Sequence, residues 1–92
     1  MATIHMETSE ATSCSSRMKQ AHEQIASELN TTRSQINGLV GSGWIAQSAN
    51  EFHNEFDSLA HQLETCLASL ETLHTRLDRE IAEWEQMQNA LA

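Results

Sequence analysis

The chain has 92 residues, with five Lys plus Arg against thirteen Asp plus Glu and a formal net charge of −8. That balance repels phosphate backbones and anionic lipid surfaces, so nucleic-acid and membrane-surface binding are excluded as leading functions. Proline and tyrosine are absent, which removes a helix breaker and a strand former and predicts an all-α class; one domain fills the length, and so small a helical fold is expected to self-associate.

Residues 1–7 alternate around Ile4 and Met6, which predicts a short extended lead-in packed on a neighbour. The first twelve residues have no basic stretch followed by an apolar one, so no cleaved signal is expected. No apolar run in the chain nears the ~18 residues of a spanning helix, so membrane insertion is not expected either. The first helix is predicted over about 8–38, capped by Thr8 or Ser9, with Glu7 and Glu10 favourably placed at its N-terminal dipole. Ala11, Cys14, Met18, Ala21, Ile25, Leu29, Thr32, Ile36 and Leu39 recur at spacings of three and four, one face of a helix. That stripe is thin, and Thr12–Ser16 are mediocre helix formers, so this arm depends on packing for its order.

A turn is predicted over about 39–43, because Gly38, Gly41 and Gly43 all lie within six positions ahead of Trp44 and supply the positive φ of a tight reversal. The second helix, about 44–88, is stronger. Ile45, Ala49, Phe52, Phe56, Leu59, Leu63, Cys66, Leu70, Leu73 and Leu77 keep a strict three-four alternation, Leu67 widens it, and Glu51, Glu55, Asp57, Glu64, Glu71 and Asp78 are expected on the solvated side. Ser48 and Glu51 have the spacing of a capping box. A reversal centred between residues 40 and 41 sets Thr8 level with Leu73. Residues 74–92, with Ile81, Trp84, Met87 and Leu91, then overhang by roughly 28 Å and either fray or are covered by another chain.

The turn carries the one specific resemblance. Gly43 and Trp44, a small residue two positions on at Ala46, another at Ser48 and the aromatic Phe52 resemble the Trp-x-Gly signature of the WXG family. These are helical hairpins of about this length that leave Gram-positive bacteria and their relatives through type VII (ESX) secretion. The resemblance extends over nearly the whole chain, and Ala46 stands where the family pattern has Gly. It implies a protein made in the cytoplasm, secreted without signal cleavage and paired with itself or a sister WXG-type protein. Trp44 is read either as a staple between the turn and the helix ends or, as the resemblance implies, as the border of a dimer cleft that contacts the type VII secretion machinery. Family members often carry a C-terminal Tyr-x-x-x-Asp/Glu export signal; the nearest matches here are Trp84-x-x-x-Gln88 and Ile81-x-x-x-Glu85. Ile81, Trp84, Glu85 and Met87 are therefore expected to form an export or partner tail.

Met18, Ile25, Leu29, Phe52, Phe56, Leu59 and Leu63 are expected to form the core within and between chains, in an antiparallel helix-turn-helix hairpin that associates as a dimeric four-helix bundle. Cys14 and Cys66 fall almost level in the predicted register, and are read either as two buried reduced thiols or as a disulfide formed in an oxidising exterior. His53, Asp57, His61 and Glu64 recur at spacings of four, four and three, which is a solvated face or a weak divalent-metal candidate. No phosphate-cradling loop or nucleophile elbow is present, so neither enzymatic activity nor a cofactor is expected. The rival reading is an intracellular helical adaptor or secretion chaperone whose apolar overhang captures a client helix.

Overall fold

The computed structural model describes residues 4–91; the first three positions of the expected lead-in, Ala92 and the side chain of Leu91 lie outside the described residues. α1 spans Thr8–Gly38, a π-helical turn follows over Leu39–Gly43, and α2 spans Gln47–Leu91. The two helices run antiparallel as a hairpin of 68 × 23 × 15 Å, and no strand occurs among the described residues.

The N-cap of α1 is Glu7 rather than Thr8 or Ser9: its backbone is extended and its carbonyl accepts the Ala11 N–H at 2.9 Å. The Glu7 carboxylate is occupied by His5 Nε2, also at 2.9 Å, which explains why it does not reach back to cap the helix. In the lead-in Ile4 is 81% exposed and Met6 is half-buried.

The reversal differs from the glycine turn the sequence suggests. None of the three glycines has positive φ. Gly38 keeps ordinary helical angles (φ −65°, ψ −44°), and the chain continues helically through Gly43. It then extends at Trp44 (φ −146°, ψ 102°), whose N–H donates to the Leu39 carbonyl at 2.7 Å. The bend is made by residues 44–46, after the glycines. Ala46 opens α2, its carbonyl accepting the N–H groups of Ala49 at 3.1 Å and Asn50 at 3.4 Å. α2 therefore starts three residues later than the 44 expected. Ser48 lies inside the helix and cannot serve as the cap of a Ser48–Glu51 box.

Placing the bend later shifts the register. Ser15 hydrogen-bonds Asp78 and His22 lies 3.9 Å from Glu71, whereas a reversal between residues 40 and 41 would set Ser15 opposite Cys66. The offset of twelve residues is about 18 Å of helix. Thr8 is then level with Glu85, so α1 covers α2 nearly to its end. The overhang expected from residue 74 is corrected accordingly, with Ile81 buried and Trp84 half-buried.

Within α2 the line that sinks deepest between the helices is Ala60, Leu67, His74 and Ile81, every seventh residue, with half-buried His53 one heptad ahead of it. Ala49 and Ala60 are each 1% exposed; these small side chains let the helices approach closely. The expected line of Phe56, Leu63, Leu70 and Leu77 flanks this centre, half-buried. On α1, Leu29 and Ser15 are the buried counterparts.

Candidate protein interface

The two flanks of the helix contact have opposite chemistry. On one, Asp57, Glu64, Glu71 and Asp78 recur every seventh residue along α2, the last three meeting polar groups of α1. Ser15 donates its hydroxyl to Asp78. Glu71 lies 3.9 Å from His22 and 3.0 Å from His74 Nε2. Arg33 donates to Glu64, and His53 bridges Asn37 at 2.9 Å and Asp57 at 3.3 Å. Glu64, Glu71 and Asp78, expected on a solvated side, form a seam with α1, and Asp57 joins it through His53, all four keeping contact with water. The Arg33 hydrogen bond, with the guanidinium charge behind it, holds the Glu64 carboxyl below its usual value. His74 is 8% exposed. Its Nδ1 sits 3.5 Å from Asp78 yet makes no hydrogen bond, because that separation lies beyond the usual N–H···O range.

The opposite flank is apolar and open. Phe52, Leu59, Leu73 and Met87 share one heptad position of α2 and are 42%, 50%, 55% and 51% exposed; Cys66 falls on the same line, and Ile45, in the bend ahead of α2, is 84% exposed. On α1, Ile25 is 42% exposed, with half-buried Met18 and Thr32 one heptad to either side, and Leu39, at the start of the π-helical turn, is 45% exposed. A groove of about 300 Å³ runs between the helices here, lined by Gln24, Ile25, Glu28, Leu29, Thr32, Phe56 and Leu63. A second, of about 280 Å³, continues it past Met18, Leu73, Arg76, Leu77 and Glu80. The expected interface residues thus divide by role. Leu29 belongs to the hairpin, Met18, Phe56 and Leu63 straddle both surfaces, and Ile25, Phe52 and Leu59 face outward. The sequence pattern missed the central line because a histidine and an alanine interrupt it; its seven-residue period was the available signal.

At the turn, Trp44 is half-buried and its ring stands 5.8 Å from Phe52 at 51°, so the indole bridges the bend and the first turns of α2. Ala46, two positions on, is exposed. A Cβ on Gly43 would come within 3.2 Å of Cδ1 of the exposed Leu39 side chain, and the φ of Gly43 is not positive.

Three expected groupings do not assemble. Cys14 and Cys66 are both free and exposed, which corrects both the disulfide and the buried-thiol readings. Cys14 lies level with Arg79, thirteen residues or about 20 Å from Cys66, far beyond the ~7 Å Cα limit of a bridge. The candidate metal set does not converge: His53 is held by Asn37 and Asp57, and Arg33 occupies Glu64. Among the described residues no group of three His, Cys, Asp or Glu side chains is placed to hold a metal ion. Of the four expected tail residues, Ile81 is buried, Trp84 is half-buried, and Glu85 and Met87 are exposed. No helix among the described residues is long and apolar enough to cross a membrane.

A helical hairpin with one flank closed by polar pairs and the other left as an apolar groove defines a helix-packing protein. The family model for proteins of 100 residues with WXG matches residues 3–87. The chain belongs to that family, and membership implies a small helical protein of type VII secretion. No curated protein and no solved structure gives a significant match to the chain.

Proposed function

We propose that this chain is a type VII secretion substrate that works as a binding protein, not as an enzyme, and travels as a dimer, the apolar flank forming the centre of a four-helix bundle. The observation that carries the reading is the heptad line Phe52, Leu59 and Leu73, each 42% exposed or more and continuous with two grooves between the helices. Large side chains left open on one line are what an interhelical partner buries, at about 1.5–3 kcal/mol for each one fully covered. Trp44, Ala46 and Phe52 lie at the turn end of the same hairpin, where the family motif sits, and we assign the contact with the export machinery to that end. The exposed Glu85 and Met87 form the remaining export tail.

Phe56 lines the larger groove and also packs the hairpin. Phe56→Asp should convert the associated form to a monomeric or unfolded chain, read by light scattering; a stable dimer in the variant would show that the interface is elsewhere. Export is tested separately by following full-length protein into the culture supernatant. Loss of that signal on disabling the secretion ATPase is the expected result. Retention in the cytosol with a co-purifying client helix would favour the adaptor reading.

A further inference from the structure

We infer that His74 is an acid-sensitive latch in the seam: a proton taken up on its ring lets it bind Glu71 and Asp78 at once, and so holds α1 and α2 together more tightly at mildly acidic pH than at neutral pH. The inference goes beyond the export and dimer readings, because it concerns the closed flank of a single hairpin.

Among the described residues His74 is the only buried histidine. Its side chain is 10% exposed, and both ring nitrogens face carboxylate oxygens, Nε2 at 3.0 Å from Glu71 and Nδ1 at 3.5 Å from Asp78. A neutral imidazole carries one N–H and one lone pair. With the hydrogen on Nε2, the contact with Glu71 is a hydrogen bond and Nδ1 turns its lone pair towards a charged oxygen; the other tautomer only exchanges the two. The neutral ring therefore leaves one buried nitrogen without a partner, as Nδ1 is here. A protonated ring donates from both nitrogens. Closing the separation from Asp78 by about half an ångström completes the second charge-assisted bond.

Those two carboxylates are also the ones that α1 meets. Ser15 donates its hydroxyl to Asp78, and His22 stands 3.9 Å from Glu71. A cationic ring between Glu71 and Asp78 draws both towards the helix contact, where their α1 partners lie, so the proton tightens the pair of helices and not α2 alone. Burial of the ring opposes its charge. The two acids offset that cost because they are 56% and 57% exposed and keep their own hydration while touching the ring. The other charged groups at this level, Lys19 and Glu23 on α1 and Arg76 and Arg79 beside Glu71 on the outer face of α2, are all exposed. Solvent screens them, whereas the carboxylates are in contact range. His53 differs although it also faces an acid. Asn37 can turn its amide nitrogen to that ring, so a neutral His53 satisfies both Asn37 and Asp57.

Urea unfolding of the full chain beside His74→Leu, at one protein concentration, tests the latch at pH ~5.5 and pH ~7.5, which bracket imidazole titration and lie above the ordinary carboxylate range. The ring contributes stability while it is charged, and that contribution is lost as pH rises through the imidazole range. At the higher pH the variant should be the more stable, since it loses an unpartnered nitrogen; at the lower pH the unaltered chain should be. The folded-to-unfolded ratio of the unaltered chain relative to the variant should rise about tenfold between the two conditions. Asp78→Asn keeps an acceptor for Ser15 and offers a neutral ring a donor at Nδ1, so in that background the same comparison should show no rise. The same order of stability at both pH values overturns the latch, as does a rise that survives Asp78→Asn. The comparison reads the same whether the chain is one copy or two, so its failure leaves the export and dimer readings standing.

Discussion

The seam flank and the groove flank are carried by the same two helices and lie within one turn of each other, yet only the first is closed within the chain. Along the seam, side chains of both helices meet: Asp78 with Ser15, Glu71 with His22, Glu64 with Arg33. Along the groove, Ile25, Phe52, Leu59 and Leu73 stay 42–55% exposed. The difference teaches that apolar periodicity marks what must be covered, and that the positions of the polar partners tell which part is covered intramolecularly. Exposed ion pairs contribute little to stability, about 0–1 kcal/mol each, so the seam sets register, while burial at the central line and the groove supplies the energy.

The largest expected effect breaks the central line that both flanks share. Leu67 is 8% exposed between the helices, and Leu67→Asp buries an unpaired charge there. A loss on the order of 4–5 kcal/mol, comparable to the whole stability of a small domain, should abolish helicity by circular dichroism. A variant that keeps its helical spectrum and urea midpoint would show that Leu67 is not central.

A smaller change sharpens the seam side. His74 spends a buried position on an imidazole whose Nδ1 is unpartnered, and Glu71 and Asp78 remain more than half exposed, so both keep water when it is removed. His74→Leu should raise stability by about 1 kcal/mol in urea unfolding. A clear destabilisation would mean that the imidazole is a required bridge between Ser15, Glu71 and Asp78.

The smallest effect concerns one pair. Arg33 lowers the Glu64 pKa, through its hydrogen bond first and its charge second. The pair therefore contributes stability that is fully present above the ordinary carboxylate value and is lost as pH falls through the lowered one. Arg33→Gln should return Glu64 towards its ordinary value in a side-chain NMR titration. An unchanged midpoint would show that the pair does not form in solution.

The all-helical hairpin and the strong second arm were legible because the apolar residues of α2 hold a strict period. The assignment of that stripe to a surface was less legible, since Phe56, Leu63, Leu70 and Leu77 belong to it while also flanking the hairpin core. The stripe therefore reads as one face although it serves two. The true centre was masked by Ala60 and His74, whose residue types do not announce burial. The register was misread for a different reason. Gly38, Gly41 and Gly43 draw attention as a turn, but their φ values stay negative and the helix runs through them, leaving Trp44 to Ala46 to bend the chain. That displacement separates Cys14 from Cys66 and covers Ile81.

The claim that the groove flank is an interface, separable from the hairpin's own core, is tested most directly by sedimentation equilibrium with circular dichroism on Leu59→Asp beside the unaltered chain. Leu59 is 50% exposed, so the account predicts that the unaltered chain sediments as two copies and the variant as one, both helical at low temperature. A variant that sediments as two copies beside an unaltered chain that does the same would contradict it.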